Sequence, residues 1–350
     1  MSHPLAKRVI LAADVGGTNL SLALMVQEPG GFRMARRATS PTRAEVSLLE
    51  PMRRFLAEAP EIRPDLVCVS GAGPVRLRRI PLTNAPWDID GAALEAGLGL
   101  PVQLFNDFTA VSHGVLLLDP ADPVQLLPLP HLDGSLAAPD PAGTVLIVGA
   151  GTGLGVGYVT RRHGIAEAFP SEGGHIGLPV LDEETLDLWR FLREGLAGPP
   201  GAELAVSGPG IGNILAFLVS SGRAGSSPIT AAILALPAEA RPAAISAHAG
   251  DDPACARAMA LFVDLYARVC AELCAVFLPT GGLFLAGGIA AKNQRHFLEG
   301  RRFMRAFEEN YRVHLDAITH ATPVAIVKDY AISLYGAAQA GCLAEARTGR

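Results

Sequence analysis

Lysine is nearly missing from this chain. Lys7, Lys292 and Lys328 are the only three in 350 residues, and none follows a glycine. That excludes the G-x-x-x-x-G-K phosphate loop, which needs a lysine at its end to reach the terminal phosphates. Positive charge is in deficit overall, 29 Lys and Arg against 34 Asp and Glu, so a basic platform for nucleic acid is excluded too. Five cysteines are an odd number and no two are spaced C-x-x-C. A disulfide framework and a cysteine zinc knot are thereby set aside, and free thiols in a reducing, cytoplasmic compartment are expected. Long apolar runs are also lacking. The longest candidate, Met259 to Leu278, carries Asp264, Arg268 and Glu272 at four-residue spacing. This is the polar stripe of an amphipathic helix, not a membrane span. The N-terminal apolar run from Val9 is broken at Asp14, too early for a signal peptide.

What is present in quantity is apolar residues, 49%, and glycine, 38 residues. With 18% charged residues the chain is globular, and its length allows two domains with cores of their own. The glycines are not scattered. Val9 to Ala13 is a short apolar run that ends in Asp14-Val15-Gly16-Gly17-Thr18-Asn19, and Leu22 to Val26 is apolar again. This reads as strand, tight turn, strand. Paired glycines let backbone N–H groups approach an anion. Asp14 beside them suits a carboxylate that holds Mg²⁺, directly or through water. An ordinary hairpin turn explains the same stretch equally well.

The pattern recurs. Val145 to Val148 runs into Gly149-Ala150-Gly151-Thr152-Gly153-Leu154-Gly155-Val156-Gly157, with glycine at every second position. Interior glycines weaken strands, so packing alone does not account for them. Two such turns point to two related halves gripping one polyphosphate. Elsewhere strands at Leu66–Val69, Val102–Phe105, Leu283–Ala286 and Val324–Val327 alternate with helical patterns, which predicts an α/β sheet protein. Helices are expected at 43–58, 90–98, 183–193, 210–220, 230–236, 253–278 and 332–344, and the proline-rich stretch 120–141 as a connection. The last helix is apolar over much of its surface and is expected to pack back on the first domain.

Two pairs carry candidate chemistry. Asn106-Asp107 follows a strand, where Asp107 could act as a general base or the pair could merely cap the next helix. Glu172 and His175 have i, i+3 spacing that also serves metals on helices, but Gly173-Gly174 between them indicates a loop. Faint echoes of protein-kinase motifs at Val324–Lys328 and Asp107–Thr109 occur in the wrong order, without H-R-D.

Taken in order, these residues resemble the bacterial glucokinases of the actin/hexokinase/heat-shock-70 ATPase superfamily. The resemblance rests on Asp14–Asn19, Leu82-Thr83-Asn84 with Trp87, Phe105–Val111, Gly149–Gly155 and Glu172–His175. It continues through Ala202-Glu203 before Ser207–Gly210, and Phe284–Ile289. It implies a two-domain, actin-like (ribonuclease H-like) α/β fold with an interdomain cleft. The domains expected are residues 1–117 with 323–350, and 118–322.

It further implies ATP-dependent phosphorylation of glucose at its 6-hydroxyl, with Asp107 as the base. Asn106, Glu172, His175 and Glu203 would hold the other hydroxyls. Asp14, Gly16, Gly17, Thr18 and Asn19, with Gly151, Thr152 and Gly153, would lie against phosphates, and Gly287 and Gly288 near adenosine. Mg²⁺ would sit at Asp14. Glucose and ATP are the expected partners, with a cytoplasmic homodimer and neither nucleic acid nor membrane. Two rivals remain: a kinase for another hexose or N-acetylhexosamine, and a non-catalytic sugar sensor. The retained Asp107 speaks against the sensor.

The repressor/open-reading-frame/kinase relatives carry a zinc-binding cysteine cluster after the histidine, which this chain lacks. It also departs from the glucokinase pattern at Ser21, where arginine is usual. A second departure is Ile176-Gly177-Leu178-Pro179, where an acid–aromatic pair is common.

Overall fold

The computed structural model describes residues 8–82, 85, 87–162, 165–329 and 331–348. Thr83 and Asn84, part of the resemblance, lie outside the described residues. The chain divides into two compact units. One comprises the described residues up to Asp122, Ala168–Pro170 and those from Asp329 onward, the other Pro123–Glu167 and Ser171–Lys328.

The first unit opens with β1 (Val9–Val15), β2 (Asn19–Glu28) and β3 (Gly31–Pro41), then helix α1 (Leu49–Ala57) and β4 (Leu66–Gly71). A short ribbon of β5 (Arg79–Ile80) and β6 (Ile89–Asp90) leads to α2 (Gly91–Leu98), β7 (Val102–Asn106) and α3 (Asp107–Val115). Its sheet has the order β3-β2-β1-β4-β7. β1 and β2 are antiparallel with Val15 opposite Leu20, so the glycine stretch forms the expected hairpin turn. β1, β4 and β7 are parallel.

β1 is buried on both faces, as a central strand of such a sheet must be. Leu11, Ala13 and Val15 face one core with Met52 and Phe55 of α1. Ile10 and Ala12 face the other. α1 starts later than expected. Thr42–Ala44 is a separate single turn and Pro51 falls in the first turn of the helix, where proline is tolerated. At nine residues this helix is too short to hold its shape alone. Burial of Met52 and Phe55, about 1.5–3 kcal/mol each, holds it.

The second unit contains β8 (Leu126–Pro128), β9 (Val145–Ala150), β10 (Leu154–Arg162), β11 (Ile165–Ser171) apart from its middle residues Ala168–Pro170, and helices α4 (Glu183–Arg193), α5 (Gly208–Ser220), α6 (Pro228–Ala235), α7 (Arg241–His248) and α8 (Pro253–Phe277). β12 (Gly282–Ala286), α9 (Gly288–Lys292), α10 (Gln294–Leu298), α11 (Arg302–Glu308), α12 (Val313–His320) and β13 (Val324–Val327) complete it. Its sheet runs β11-β10-β9-β12-β13-β8. Apart from the added edge strand β8, the order repeats that of the first sheet: a central strand, an antiparallel hairpin partner on one side, parallel strands on the other.

The strand at 324–327 was expected to belong with the first domain. It pairs instead with β12, placing it in the second unit. The amphipathic helix expected near 253–278 is α8. Asp252 caps it by accepting from Ala254 and Cys255 N–H at 2.9 Å. Its polar stripe is tied down by Arg302–Asp264 and Arg268–Glu272 pairs. Cys270 and Cys274 are fully buried in the core.

The final helix, α13 (Ile332–Thr348), packs on α3, β1 and β4 of the first unit. Small residues make this close approach feasible. A Cβ at Gly336 would lie 1.7 Å from the Ala110 carbonyl oxygen, and one at Gly114 would lie 2.3 Å from that of Ile332. Among the described residues no helix is long and apolar enough to cross a membrane.

Candidate active site

In the first unit, the parallel strands β1, β4 and β7 end level with one another. Asp14 pairs in register with Ser70, and Gly71 with Asn106. Strand carboxyl ends are where open α/β sheets bind ligands, and two carboxyls of this unit, Asp14 and Asp107, lie there.

Asp14 is gripped by two hydroxyls that the sequence reading did not single out. Ser70 Oγ donates to its Oδ1 at 3.0 Å, and Ser333 Oγ, from the first turn of α13, donates to its Oδ2 at 2.7 Å. Burial raises the Asp14 carboxyl above the ordinary carboxylate range, against these two bonds and the charge of Arg37. Arg37 also bears on the departure at Ser21. Ser21 pairs with Asp14 on one side and Thr39 on the other. Arg37, two residues from Thr39, therefore shares their face of the sheet and supplies a cation there.

The turn after β1 is closed by Gly16 N–H donating to the Asn19 carbonyl at 3.0 Å. It is pinned by Thr42, whose N–H donates to Thr18 O at 2.9 Å and whose hydroxyl donates to Gly16 O at 2.8 Å. The N–H groups of Gly17 and Thr18 have no acceptor among the described residues.

Asn106 is the N-cap of α3. Its Oδ1 accepts from Phe108 N–H at 3.0 Å and Thr109 N–H at 3.2 Å, while its Nδ2 donates to Gly73 O at 3.2 Å. The capping role is therefore real, worth about 1 kcal/mol, and it fixes the next residue. Asp107 opens the helix, and its Oδ1 accepts from Phe108 N–H at 2.9 Å. Burial pushes its carboxyl up to about 6, opposed by that N–H and reinforced by the negative charge of Asp14.

In the second unit, β9 and β10 form the other glycine hairpin, with Leu154 opposite Ala150. Gly151 N–H donates to Gly153 O at 2.8 Å, and Gly208 N–H, at the start of α5, donates to Gly151 O at 2.8 Å. The N–H groups of Thr152 and Gly153 have no acceptor among the described residues.

Glu203 is drawn to this turn: Leu154 N–H donates to its Oε2 at 2.8 Å. The same oxygen lies 2.5 Å from where a Cβ on Gly153 would sit, so a side chain there would push the carboxylate aside. Glycine is required outright at 174, where a Cβ would stand 1.7 Å from the Leu154 carbonyl oxygen. That contact folds the single turn Gly173–His175 onto the start of β10.

Glu172 and His175 project outward from the turn, their side chains 86% and 63% exposed, with His175 Nε2 3.7 Å from Glu172 Oε2. Ala202 N–H donates to Ile176 O at 2.7 Å, bringing the Glu203 turn alongside. The stretch 176–179 is shaped by the same pairing, with Leu178 N–H donating to Pro200 O at 3.1 Å. Glu172 and His175 gain no third metal-type donor among the described residues.

Gly287, at the end of β12, has φ +86°, and a Cβ there would meet the Ala150 carbonyl oxygen at 2.6 Å. It holds Gly287-Gly288 against the end of β9, in register with Gly149 beside Ala286.

Two sheets of repeated order, each with a glycine hairpin at the end of its central strand, define the actin-like ATPase fold. A solved glucokinase from an Antarctic psychrotroph has this fold, with a TM-score of 0.78 and 27% identity, covering 96% of this chain and 99% of its own. A glucokinase of the repressor/open-reading-frame/kinase type from Streptomyces griseus, solved with glucose and AMPPNP, shares the fold at TM-score 0.64 and 20% identity. That match covers 95% of this chain and 98% of its own.

In sequence, the glucokinase of Sinorhizobium medicae is 31% identical over 344 residues, 97% of this chain and 93% of the relative. The family model for glucokinase matches residues 11–343. The chain belongs to the glucokinase family.

Proposed function

We infer that the chain transfers the γ-phosphoryl group of ATP to the 6-hydroxyl of glucose, giving glucose 6-phosphate and ADP. Beside the family, the observation that carries this reading is Asp107. It is a carboxyl fixed at the first position of a helix, at a strand end, with its pKa pushed up to about 6. A base poised close to the working pH is mostly ionised yet still accepts a proton in the transition state.

In the proposed reaction the 6-hydroxyl oxygen attacks the γ-phosphorus, the bond from that phosphorus to the β,γ-bridging oxygen breaks, and the hydroxyl proton passes to Asp107. The transition state asks mainly for alignment and charge stabilisation. The unpaired N–H groups of Gly17, Thr18, Thr152 and Gly153 meet the second need as anion donors, and Gly287 and Gly288 leave backbone open to adenosine. Asn106, by capping α3, orients Asp107, and its remaining Nδ2 proton can meet a sugar oxygen. Glu172 and His175 offer exposed donors and acceptors for the other hydroxyls. Glu203 extends that set from the glycine turn it anchors.

Mg²⁺ fits Asp14. The donor is a carboxylate oxygen, and the mutual repulsion of Asp14 and Asp107 is what a cation relieves. Bound there, the ion would neutralise phosphate charge.

A cytoplasmic location belongs to this proposal, supported by five free cysteines, four of them buried. A homodimer that binds no nucleic acid also belongs to it, and sedimentation with and without duplex DNA tests both points. The test of substrate is a panel of hexoses and N-acetylhexosamines with ATP and Mg²⁺, followed by ADP release. Glucose should give the highest kcat/KM. A higher value for another sugar moves the assignment to that sugar, and no sugar-dependent release at all contradicts the kinase.

A further inference from the structure

Three side chains of the second unit converge outside the strand ends that carry the glycine turns. His131 lies in the loop after β8, Glu308 is the last residue of α11, and His320 is the last of α12. One donor atom from each lies within 4.8 Å of the others, the only such group of three among the described residues.

The position follows from the sheet. Leu129 N–H donates to the carbonyl of Val324, the residue that opens β13, at 2.8 Å. β9, β12 and β13 are parallel, and the glycine turns leave from the opposite ends of β9 and β12. The cluster therefore takes no part in the chemistry described above.

Its construction is that of a built site. His131 is 1% exposed and Glu308 7%. Glu308 Oε1 lies 2.8 Å from His131 Nδ1 and accepts from Leu132 N–H at 3.2 Å, while Oε2 lies 3.3 Å from His320 Nε2. Phe303 and Phe307, both fully buried, fix α11 up to the carboxylate. Arg301 donates to the His131 carbonyl at 3.2 Å and holds the loop. The two imidazole rings stack at 5.4 Å between centroids. The other ring nitrogen of His131, Nε2, is buried without a partner, so the imidazole is held at Nδ1 alone.

We propose that His131, Glu308 and His320 bind a divalent cation of the zinc class, which ties the ends of α11 and α12 to the 129–135 loop. Two imidazole nitrogens and one carboxylate oxygen are a zinc donor set, whereas Mg²⁺ and Ca²⁺ ask for oxygen alone. Two donors on a tetrahedral ion with bonds of ~2.0–2.1 Å stand ~3.3 Å apart. The two imidazoles face different oxygens of Glu308, His320 Nε2 at 3.3 Å from Oε2 and His131 Nδ1 at 2.8 Å from Oε1. One donor atom from each residue lies within 4.8 Å of the others, so the side chains draw in on the ion by up to about 1.5 Å. The His320 side chain is 44% exposed, which leaves a side open for water as the fourth donor.

The test uses untagged full-length protein, stripped with chelator, desalted and titrated with zinc alone, read by metal content and by Tm. Wild type should retain about one zinc per chain, and Tm should rise by roughly 5 °C with zinc at a hundredfold excess over Kd. His320→Ala, at an exposed position, should fold normally, lose the bound zinc and show no zinc-dependent rise. His314→Ala, an exposed imidazole on the same helix, should behave as wild type. Equal zinc uptake by wild type and His320→Ala, or a wild-type Tm indifferent to zinc, overturns the proposal in favour of a purely hydrogen-bonded triad. Neither readout depends on kinase activity.

Discussion

At the end of β7 two neighbouring side chains divide the work. Asn106 spends its carbonyl on the helix N-terminus, and in doing so it sets the direction of Asp107. The two readings of this pair, cap or chemistry, are thus compatible, because the cap positions the carboxyl. Both residues were legible in the sequence as the polar end of an apolar strand. Ser333 was not. It lies 319 residues from Asp14 along the chain, and no local pattern announces that its hydroxyl will meet that carboxylate. Thr42, which pins the first glycine turn, was hidden in the same way.

The raised Asp107 pKa has a consequence of definite sign. The base works ionised, so kcat/KM for glucose should rise as pH climbs through about 6 and level off above it. A profile flat from pH 5 to 8, measured with a donor assay corrected for ATP ionisation, would contradict this. Stability moves the other way. With the folded-state pKa above the ordinary 3.8, the folded form binds the proton more tightly. This residue's contribution to stability therefore falls as pH rises from about 4 to about 6.

Among the elements, those whose pattern is strong were readable. The two glycine hairpins, the buried strands and α8 each show a period that burial imposes. Others were not. β3 is an edge strand whose residues are mostly half-exposed or exposed, so its alternation is blurred. α9 to α12 are helices of five to eight residues. Such lengths carry little periodicity, and burial of Phe297, Phe303 and Phe307 holds the region together instead.

The turn that carries Glu172 and His175 depends on one close contact. Gly174→Ala places a methyl group inside the van der Waals radius of the Leu154 carbonyl, so the turn must lift away from β10. A displacement of about 1 Å at a positioning group can cost on the order of 10²-fold. KM for glucose should therefore rise by tenfold or more while KM for ATP changes little. An unchanged KM for glucose would show that the turn does not position sugar ligands.

On the scale of the molecule, one sheet order occurs twice, and each copy places its glycine turn after the central strand. That duplication was foreshadowed by the two Gly/Thr turns. The strand order itself was not, because register and neighbours are set by long-range pairing such as Ala286 with Gly149.

As proposed, this member of the glucokinase family transfers phosphate to a sugar hydroxyl with Asp107 as base. The most direct measurement is steady-state kinetics of Asp107→Asn with glucose and ATP, alongside its Tm. The amide keeps the shape and removes a carboxyl whose ionised form is disfavoured by burial. Its kcat should fall by on the order of 10² or more, with KM for glucose within several-fold and Tm no lower than wild type. A variant that keeps a kcat close to wild type would show that Asp107 is not the base.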